Sequence, residues 1–354
     1  MNEQWMIYGA NGYTGQLITR EAVKRGHSPM LAGRNEQEIH DLANELDLEY
    51  RIFDLTENIM DQITGMHLVL NCAGPFTKTV APILNACLEV KCHYLDLSGE
   101  LSVFEYCFNK NKRAQEQGCI VCPGVAFDIV PTEAVAVKLK HLLPDADTIK
   151  LGFDGQMSLS KGSSMTLLEG VGNKDLSVYM VRDNGEVQAL SKPRIENHSF
   201  EFNKPAKKAM AITWADLNGA FYSTNVPNIS VFIPATVVNR LSFAYMTWLK
   251  PMFSLKIIQN FFEKVIKMFI KGPSGNELDN RSMVIFGEAH NTKGESKRVY
   301  IKVAHGYKFT YLASISIVEA CLHQQDKSGY FTPSMLMGVD FIEGLEGSSR
   351  FQVV

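Results

Sequence analysis

Along the first 130 residues, apolar and polar positions fall into two alternating patterns. Short segments at 5–8, 27–32, 49–53, 67–70, 92–97 and 119–122 have strand composition. Between them, residues 16–24, 35–46, 57–63, 77–90 and 102–116 carry apolar side chains at helical spacing. Regular alternation of strand and helix predicts a parallel sheet covered on both faces. The pattern changes beyond residue 130. A strand is expected at 148–154. A hairpin is expected at 178–190, turning at Arg182-Asp183-Asn184-Gly185, and another over 283–290 and 297–304 around Asn291-Thr292-Lys293-Gly294. Strands that follow strands mark an antiparallel sheet. Two helices, at 311–324 and 332–345, close the chain.

The first strand, Trp5-Met6-Ile7-Tyr8, runs into Gly9-Ala10-Asn11-Gly12-Tyr13-Thr14-Gly15, and a helix follows at once. Strand, glycine turn and helix is the order of a dinucleotide-binding βαβ unit. Gly9 lets the chain turn off the strand. Gly12 lets backbone N–H groups approach a diphosphate, and Gly15 lets the helix pack against the sheet. The spacing is GxxGxxG rather than GxGxxG, and a glycine triplet alone is a weak signal. The second strand strengthens it by ending in Gly33-Arg34, with no acid at the strand end. An acid there would bond a ribose 2′-hydroxyl, whereas an arginine pairs with a 2′-phosphate and selects NADP over NAD. A solvated arginine at a loop start is the bland alternative.

The fold class is therefore α/β: an N-terminal Rossmann-type parallel sheet plus a second α+β domain with a mainly antiparallel sheet. Asp54, after the third strand, either lies near the adenine or caps the next helix. Asn71-Cys72-Ala73-Gly74, followed by Pro75-Phe76, forms the loop expected to line the nicotinamide ribose. The dinucleotide contacts expected are Gly9, Asn11, Gly12, Tyr13, Thr14, Gly15, Arg34, Asp54, Asn71, Cys72, Ala73 and Gly74. Ligands of open α/β sheets sit beyond the carboxyl ends of the strands. That rule makes Tyr94, Asp96, Ser98, Glu100 and Asp128 candidates for the reacting end. His93 alternates with Tyr94 across the strand, so only one of them can face a ligand.

Composition narrows the classes. At 354 residues, with 45% hydrophobic and 21% charged residues, the chain suits a two-domain globular protein. A net charge of −3 gives no general attraction to nucleic acid. Met1-Asn2-Glu3-Gln4 lacks the basic start of a secretory leader, and seven scattered cysteines point to a reducing, cytoplasmic setting. Cys119 and Cys122 form a CxxC inside an apolar strand, and no second ligand pair completes a metal site. No GxSxG elbow, HExxH helix or P-loop appears.

Jointly, YGANGYTG, LAGR, VLNCAGPF, HYLDLSGE and PGVAFDIVPTE resemble the saccharopine dehydrogenase-like oxidoreductases, in the branch of the trans-acting enoyl reductases. Ala220-Phe221-Tyr222-Ser223-Thr224-Asn225-Val226-Pro227-Asn228, Lys271-Gly272-Pro273-Ser274 and Gly329-Tyr330-Phe331-Thr332-Pro333 extend the resemblance over nearly the whole chain. It implies an NADP-binding domain at 1–128, rejoined by a C-terminal helix at 330–354, and a substrate or dimerisation domain at 129–329. It also implies NADP(H) as cofactor and an enoyl or acyl, lipid-like substrate. Two alternatives stand beside it. One is an imine or amino-acid reductase of the saccharopine type, which needs a carboxylate-binding cluster. The other is a non-catalytic NADP-binding sensor or scaffold.

Two stretches stay open. Ser160-Lys161-Gly162-Ser163-Ser164, before the apolar 165–171, reads either as an anion-binding helix start or as an ordinary cap. Residues 256–271 put Ile257, Ile258, Phe261, Phe262, Val265, Ile266 and Phe269 on one side and mostly polar or basic residues on the other. Such a helix covers a core, pairs two subunits in a homodimer, or makes a peripheral contact with a membrane surface. No uncharged run there approaches the ~20 residues of a spanning helix.

Overall fold

The computed structural model describes residues 4–155, 179–253, 275–324 and 326–354, together with residues 160, 162, 164, 165, 258, 262, 265, 266, 272 and 273; for 246–253 it describes the backbone alone. The 256–271 helix and the 160–171 stretch therefore fall largely outside the described residues. The chain divides into two units, one of Met1–Asp128 with Tyr307–Met337, the other of Ile129–Gly306 with Gly338–Val354.

The first unit is a seven-stranded parallel sheet in the order β15-β6-β5-β4-β1-β2-β3. Its strands are β1 (Trp5–Tyr8), β2 (Met30–Gly33), β3 (Tyr50–Ile52), β4 (Leu68–Asn71), β5 (His93–Asp96), β6 (Ile120–Cys122) and β15 (Gly329–Tyr330). Every residue of β1, β2 and β4 is buried, as a sheet with both faces covered requires. The intervening helices are α1 (Tyr13–Lys24), α2 (Glu36–Leu46), α3 (Ile59–Ile63), α4 (Phe76–Val90), α5 (Leu101–Phe108) and α6 (Asn111–Gln117). The single helix expected at 102–116 is thus two. The Asn109 and Lys110 N–H groups bond back to Glu105 and Cys107, a tightened turn that closes α5 and redirects the chain.

The second unit begins with α7 (Val130–Leu142) and β7 (Thr148–Asp154). The first hairpin is β8 (Met180–Asp183) and β9 (Glu186–Ala189), joined through Asn184 and Gly185, both at positive φ as a two-residue type I′ turn demands. There follow β10 (Ile195–His198), β11 (Lys207–Ile212), α8 (Asp216–Thr224), β12 (Asn228–Pro234), α9 (Val237–Phe253), α10 (Gly275–Asn280), β13 (Ser282–His290) and β14 (Ser296–Ala304). The sheet runs β10-β11-β12-β7-β13-β14-β16, with β8 also on β12; among the described strands only β12 with β7 is parallel. One face takes α7 so closely that a Cβ on Gly287 would lie 2.5 Å from Val135. The opposite face holds a core of Val181, Phe200, Ala209, Ala211, Phe232, Phe286 and Tyr300.

The end of the chain corrects the expected domain bounds. The segment that rejoins the first unit is Tyr307–Met337, not 330–354. It supplies α11 (Gly306–His323), which starts five residues before the expected helix, then β15 and α12 (Pro333–Met337). The helix expected at 332–345 is interrupted at Gly338, whose φ of +79° lies outside helical space; a 3-10 turn (Val339–Gly344) follows. The last strand, β16 (Gln352–Val353), pairs with β14 in the second unit. Among the described residues, no helix is long and apolar enough to cross a membrane.

Candidate dinucleotide site

The strand order of the first unit reverses between β1 and β4, and two loops leave the carboxyl ends of those strands. They touch. A Cβ on Gly9, whose φ is +83°, would sit 2.8 Å from the Ala73 nitrogen. A Cβ on Gly15 would fall 2.4 Å from the Gly9 carbonyl oxygen and 2.9 Å from the Ala10 Cα. Both glycines are required by close approach of backbone to backbone. Gly12 differs, because a Cβ there would meet only the Gly9 oxygen, at 3.3 Å. Gly12 is also the N-cap of α1, so no side chain caps the first turn, which carries no acid. Tyr13 and Thr14 follow in that turn. An uncapped first turn behind a glycine loop is the arrangement that holds a diphosphate.

The loop is tied to the second strand's exit. Asn11 donates through Nδ2 to Glu38 Oε2 at 2.7 Å, and its carbonyl accepts from Gln16 Nε2 at 2.9 Å. A Cβ on Gly33 would lie 3.0 Å from Asn11 Oδ1 and 3.2 Å from the Ile39 Cδ1, a tight fit that a glycine relieves. Arg34, which follows, is exposed and lines an open surface recess with Asn35, Glu36, Gln37 and His40. Asn35 caps α2 by accepting the Glu38 N–H at 3.3 Å. In dinucleotide folds a guanidinium at this strand end is the group that pairs with a 2′-phosphate. Asp54 does not cap a helix. Its Oδ1 accepts from the Thr56 N–H and hydroxyl at 3.1 and 3.0 Å, bonds that hold its carboxyl below the ordinary range, with Arg34 adding a smaller pull. Burial first, then the Asp54 charge, pushes the Tyr8 phenol up to about 12.

On the other side of the switch point lies a buried polar chain. Asn71 donates through Nδ2 to the Thr79 hydroxyl at 3.0 Å and to the Tyr94 hydroxyl at 3.2 Å; its Oδ1 accepts from the Ala73 N–H at 3.0 Å. The Thr79 hydroxyl donates in turn to the Ala73 carbonyl at 2.8 Å. The Tyr94 hydroxyl donates to Asp96 Oδ2 at 2.9 Å, and Asp96 Oδ1 accepts from the Ser98 and Gly124 N–H groups, each at 2.9 Å. The chain therefore pins the ends of β4, β5 and β6 to one another. Burial pushes the Asp96 carboxyl up to about 6, against the pull of its donors. Burial and then the Asp96 charge also raise the Cys72 thiol.

These contacts give the expected site residues different parts. Tyr94, Asp96 and Ser98 are fully buried, and Asn71 is too. They shape the loop rather than line its surface. Tyr94 is the inward member of its pair, while His93 Nδ1 accepts from the Ile120 N–H at 3.1 Å. Glu100 caps α4: its oxygens accept from the Phe76 and Thr77 N–H groups at 3.1 and 2.9 Å, just past the cis Gly74–Pro75 bond. Such a charge-assisted cap contributes about 1–2 kcal/mol. Glu100→Ala is accordingly expected to lower the thermal midpoint by a few degrees, and a midpoint unchanged in calorimetry would contradict that role. Asp128 is half-buried at the end of the loop after β6. Its Oδ2 would be 3.1 Å from a Cβ on Gly99, and burial raises its carboxyl to about 6.

Sequence reasoning missed Thr79, because a threonine inside a helix pattern announces nothing. It also missed α11. That helix edges its Tyr307 ring against Tyr13 at 5.2 Å, accepts the Phe127 N–H on Thr310 at 3.1 Å, and donates from Ser314 to the Val125 carbonyl at 2.7 Å. Both the glycine loop and the loop that carries Asp128 are thus braced by residues far along the chain.

Comparison with known proteins agrees with this geometry. The family model described as the saccharopine dehydrogenase NADP binding domain matches residues 5–122. A probable mitochondrial saccharopine dehydrogenase-like oxidoreductase of Arabidopsis thaliana is 33% identical over 147 residues, 36% of this chain and 32% of that one. The Bos taurus saccharopine dehydrogenase-like oxidoreductase is 25% identical over 200 residues, 48% of this chain and 46% of its own. A trans-acting enoyl reductase of Mycobacterium ulcerans is 26% identical over 141 residues, 36% and 33% of the two chains. The matches thus span between 32% and 46% of those relatives' lengths. Among solved structures, apo saccharopine dehydrogenase (L-Glu forming) from Saccharomyces cerevisiae superposes with a TM-score of 0.61 over 99% of this chain and 100% of that one, at 10% identity; the likeness is one of fold. Residues 5–122 match the saccharopine dehydrogenase NADP-binding domain, and over part of its length the chain is similar to the saccharopine dehydrogenase-like oxidoreductases.

Proposed function

We propose that the chain is an NADP(H)-dependent oxidoreductase acting on an enoyl or acyl, lipid-like substrate. The observation that carries the reading is the meeting of two loops at the switch point, with Gly9 and Gly15 filled by backbone and the Gly12 side open over the first turn of α1. In this reading Gly12, Tyr13 and Thr14 hold the diphosphate and Arg34 the 2′-phosphate. Ala73 and Gly74, fixed by Asn71 and Thr79, line the ribose next to the nicotinamide. NADPH supplies a hydride when bound. The chain's own tasks are to orient it, exclude water and provide a proton. Asp128 suits that last task best, since it combines partial exposure with a carboxyl that stays protonated to about pH 6.

The enoyl reading is favoured over an imine of a dicarboxylic amino acid by the arginines. Arg182 is buried against the Leu217 carbonyl at 2.5 Å and Asn218 Oδ1 at 2.6 Å. Arg194 donates to Ser230, Arg281 pairs with Glu277, Arg298 with Glu288, and Arg350 with Glu343. These arginines are engaged locally, whereas a dicarboxylic amino acid needs two that converge on it. The name of the Mycobacterium ulcerans relative supports the same reading.

The test is a calorimetric titration of NADPH and NADH, with Arg34→Ala alongside, followed by NADPH oxidation with enoyl thioesters and with cyclic imines. A charge-assisted phosphate contact contributes roughly 1.5–3 kcal/mol, so Arg34→Ala should weaken NADPH about ten- to a hundredfold and leave NADH unchanged. Turnover of the thioester supports the proposal. Turnover of the imine alone, or tight NADPH binding without turnover of either, replaces it with the amino-acid reductase or the non-catalytic sensor.

A further inference from the structure

The buried chain behind the Asn71–Gly74 loop has a direction. The Ser98 and Gly124 N–H groups can only donate, so Asp96 Oδ1, 2.9 Å from each, is committed as an acceptor. The Tyr94 hydroxyl donates to Asp96 Oδ2 at 2.9 Å, which leaves its oxygen to accept from Asn71 Nδ2 at 3.2 Å. With Nδ2 turned to Tyr94 and to the Thr79 hydroxyl, Asn71 Oδ1 faces the Ala73 N–H and accepts from it at 3.0 Å. Each bond fixes the sense of the next. The order holds while Asp96 Oδ2 is an acceptor, that is, while the carboxyl is ionised.

A proton on Asp96 goes to Oδ2, because Oδ1 already faces two donors. Oδ2–H then donates to the Tyr94 oxygen, and the Tyr94 hydrogen must turn away. Tyr94 is fully buried, and its other hydrogen-bond partner among the described residues is Asn71. To accept from Tyr94, the Asn71 amide must turn over, which brings Nδ2 against the Ala73 N–H and leaves that N–H with no acceptor. The Ala73 nitrogen would also lie 2.8 Å from a Cβ on Gly9, so both loops of the site share its position. We propose that protonation of Asp96 reverses this chain, frees the Ala73 N–H and weakens the hold on NADPH. The proposal rests on the reading of that loop as the wall of the nicotinamide ribose. The groups that titrate around Asp96 are Tyr94 on β5, Cys72 beside Ala73 and Cys107 on α5. Burial first, then the Asp96 charge, raises all three, so they are neutral where the carboxyl changes charge. Burial places that change at about 6, against the pull of the three donors. Affinity therefore falls as pH drops through about 6, and by linkage bound NADPH favours the ionised carboxyl.

The experiment is amide exchange on the nucleotide-free protein and fluorescence titration of NADPH, each at about pH 5 and about pH 7.5. The proteins compared are the parent, Asp96→Asn and Tyr94→Phe. In the parent, the Ala73 protection factor and the NADPH affinity should both fall about tenfold at the lower pH, the scale of one hydrogen bond. Asp96→Asn presents an amide N–H to Tyr94, the donor order of the protonated acid, so it should show the low values at both pH values. Tyr94→Phe cuts the chain and should lose the step. The 2′-phosphate of NADPH titrates in the same range, with a pKa of about 6, but it is common to all three proteins and cancels between them. Amides of β1, outside the chain, report whether each variant is folded. Equal Ala73 protection in the parent at both pH values overturns the proposal, as does an Asp96→Asn protein that keeps the parent's step. Switching of the amide without NADPH binding at either pH supports the reversal and overturns the nucleotide reading instead.

Discussion

The Gly9→Ala variant is expected to lose measurable NADPH binding and to destabilise the first unit by about 2–5 kcal/mol, the sum of a left-handed backbone cost and an overpacked contact. The backbone at +83° disfavours any side chain, and the new methyl would meet the Ala73 nitrogen at 2.8 Å. Neither group can give way, because Ala73 is held by Asn71 and Thr79. Gly15→Ala should behave similarly through its 2.4 Å approach to the Gly9 oxygen. Gly12→Ala separates the two effects. Its φ of −67° suits alanine and its nearest neighbour is 3.3 Å away, so stability should change by no more than about 1 kcal/mol while nucleotide affinity falls. Urea unfolding by circular dichroism and NADPH titration by fluorescence read the two quantities apart. If Gly12→Ala kept full affinity, the diphosphate would not lie over that turn.

Removing the Asp96 carboxylate should be nearly as costly. Asp96→Ala leaves the Ser98 and Gly124 N–H groups and the Tyr94 hydroxyl without their acceptor, all of them buried, and unsatisfied buried donors cost about 1–3 kcal/mol each before any rearrangement or entry of water. A loss of about 3–5 kcal/mol is expected, together with slackening of the loop after β6. Asp96→Asn keeps the shape and removes the titration. The folded carboxyl titrates near 6, above its value in the unfolded chain, so the native state binds more protons between those values. Its contribution is therefore fully present at low pH and is lost as pH rises through about 6. Relative to Asp96→Asn, the parent should lose about 2 kcal/mol between pH 4 and 7. A difference that grew with pH would mean that its donors outweigh burial.

The glycine loop was legible because backbone geometry leaves few residue choices. Gly9 and Gly15 each sit where a Cβ would strike backbone, and such constraints show in a single sequence. Arg34 was legible by position, as the residue after a strand that ends in glycine. The roles of Tyr94, Asp96, Ser98 and Glu100 were not. Strand alternation put them at the sheet's carboxyl edge, but their partners stand elsewhere, Gly124 on the loop after β6 and Phe76 and Thr77 on α4. Carboxylates aimed at a ligand and carboxylates that hold backbone look alike in sequence. The return of Tyr307–Met337 to the first unit was hidden for a similar reason. Buried residues such as Phe309, Leu312, Ile315, Ile317 and Val318 surround α11, and an all-round apolar helix does not say which sheet it covers.

That return sets a timetable for the newly made protein. Strand β15 covers one edge of β6, bonding Gly329 to Cys119 and Phe331 to Val121. A ribosome that has delivered residues up to Asp128 has produced most of a nucleotide-binding sheet with that edge bare, and it must translate Ile129–Gly306, the larger part of the second unit, before the missing strand arrives. Closing so long an intervening stretch adds little to the final free energy, since the entropy of closure grows only with the logarithm of its length. The burden falls on the interval instead. Until Tyr330 emerges, the Ile120–Cys122 edge is an open template for pairing with other chains, and that interval is when the nascent protein most needs a chaperone.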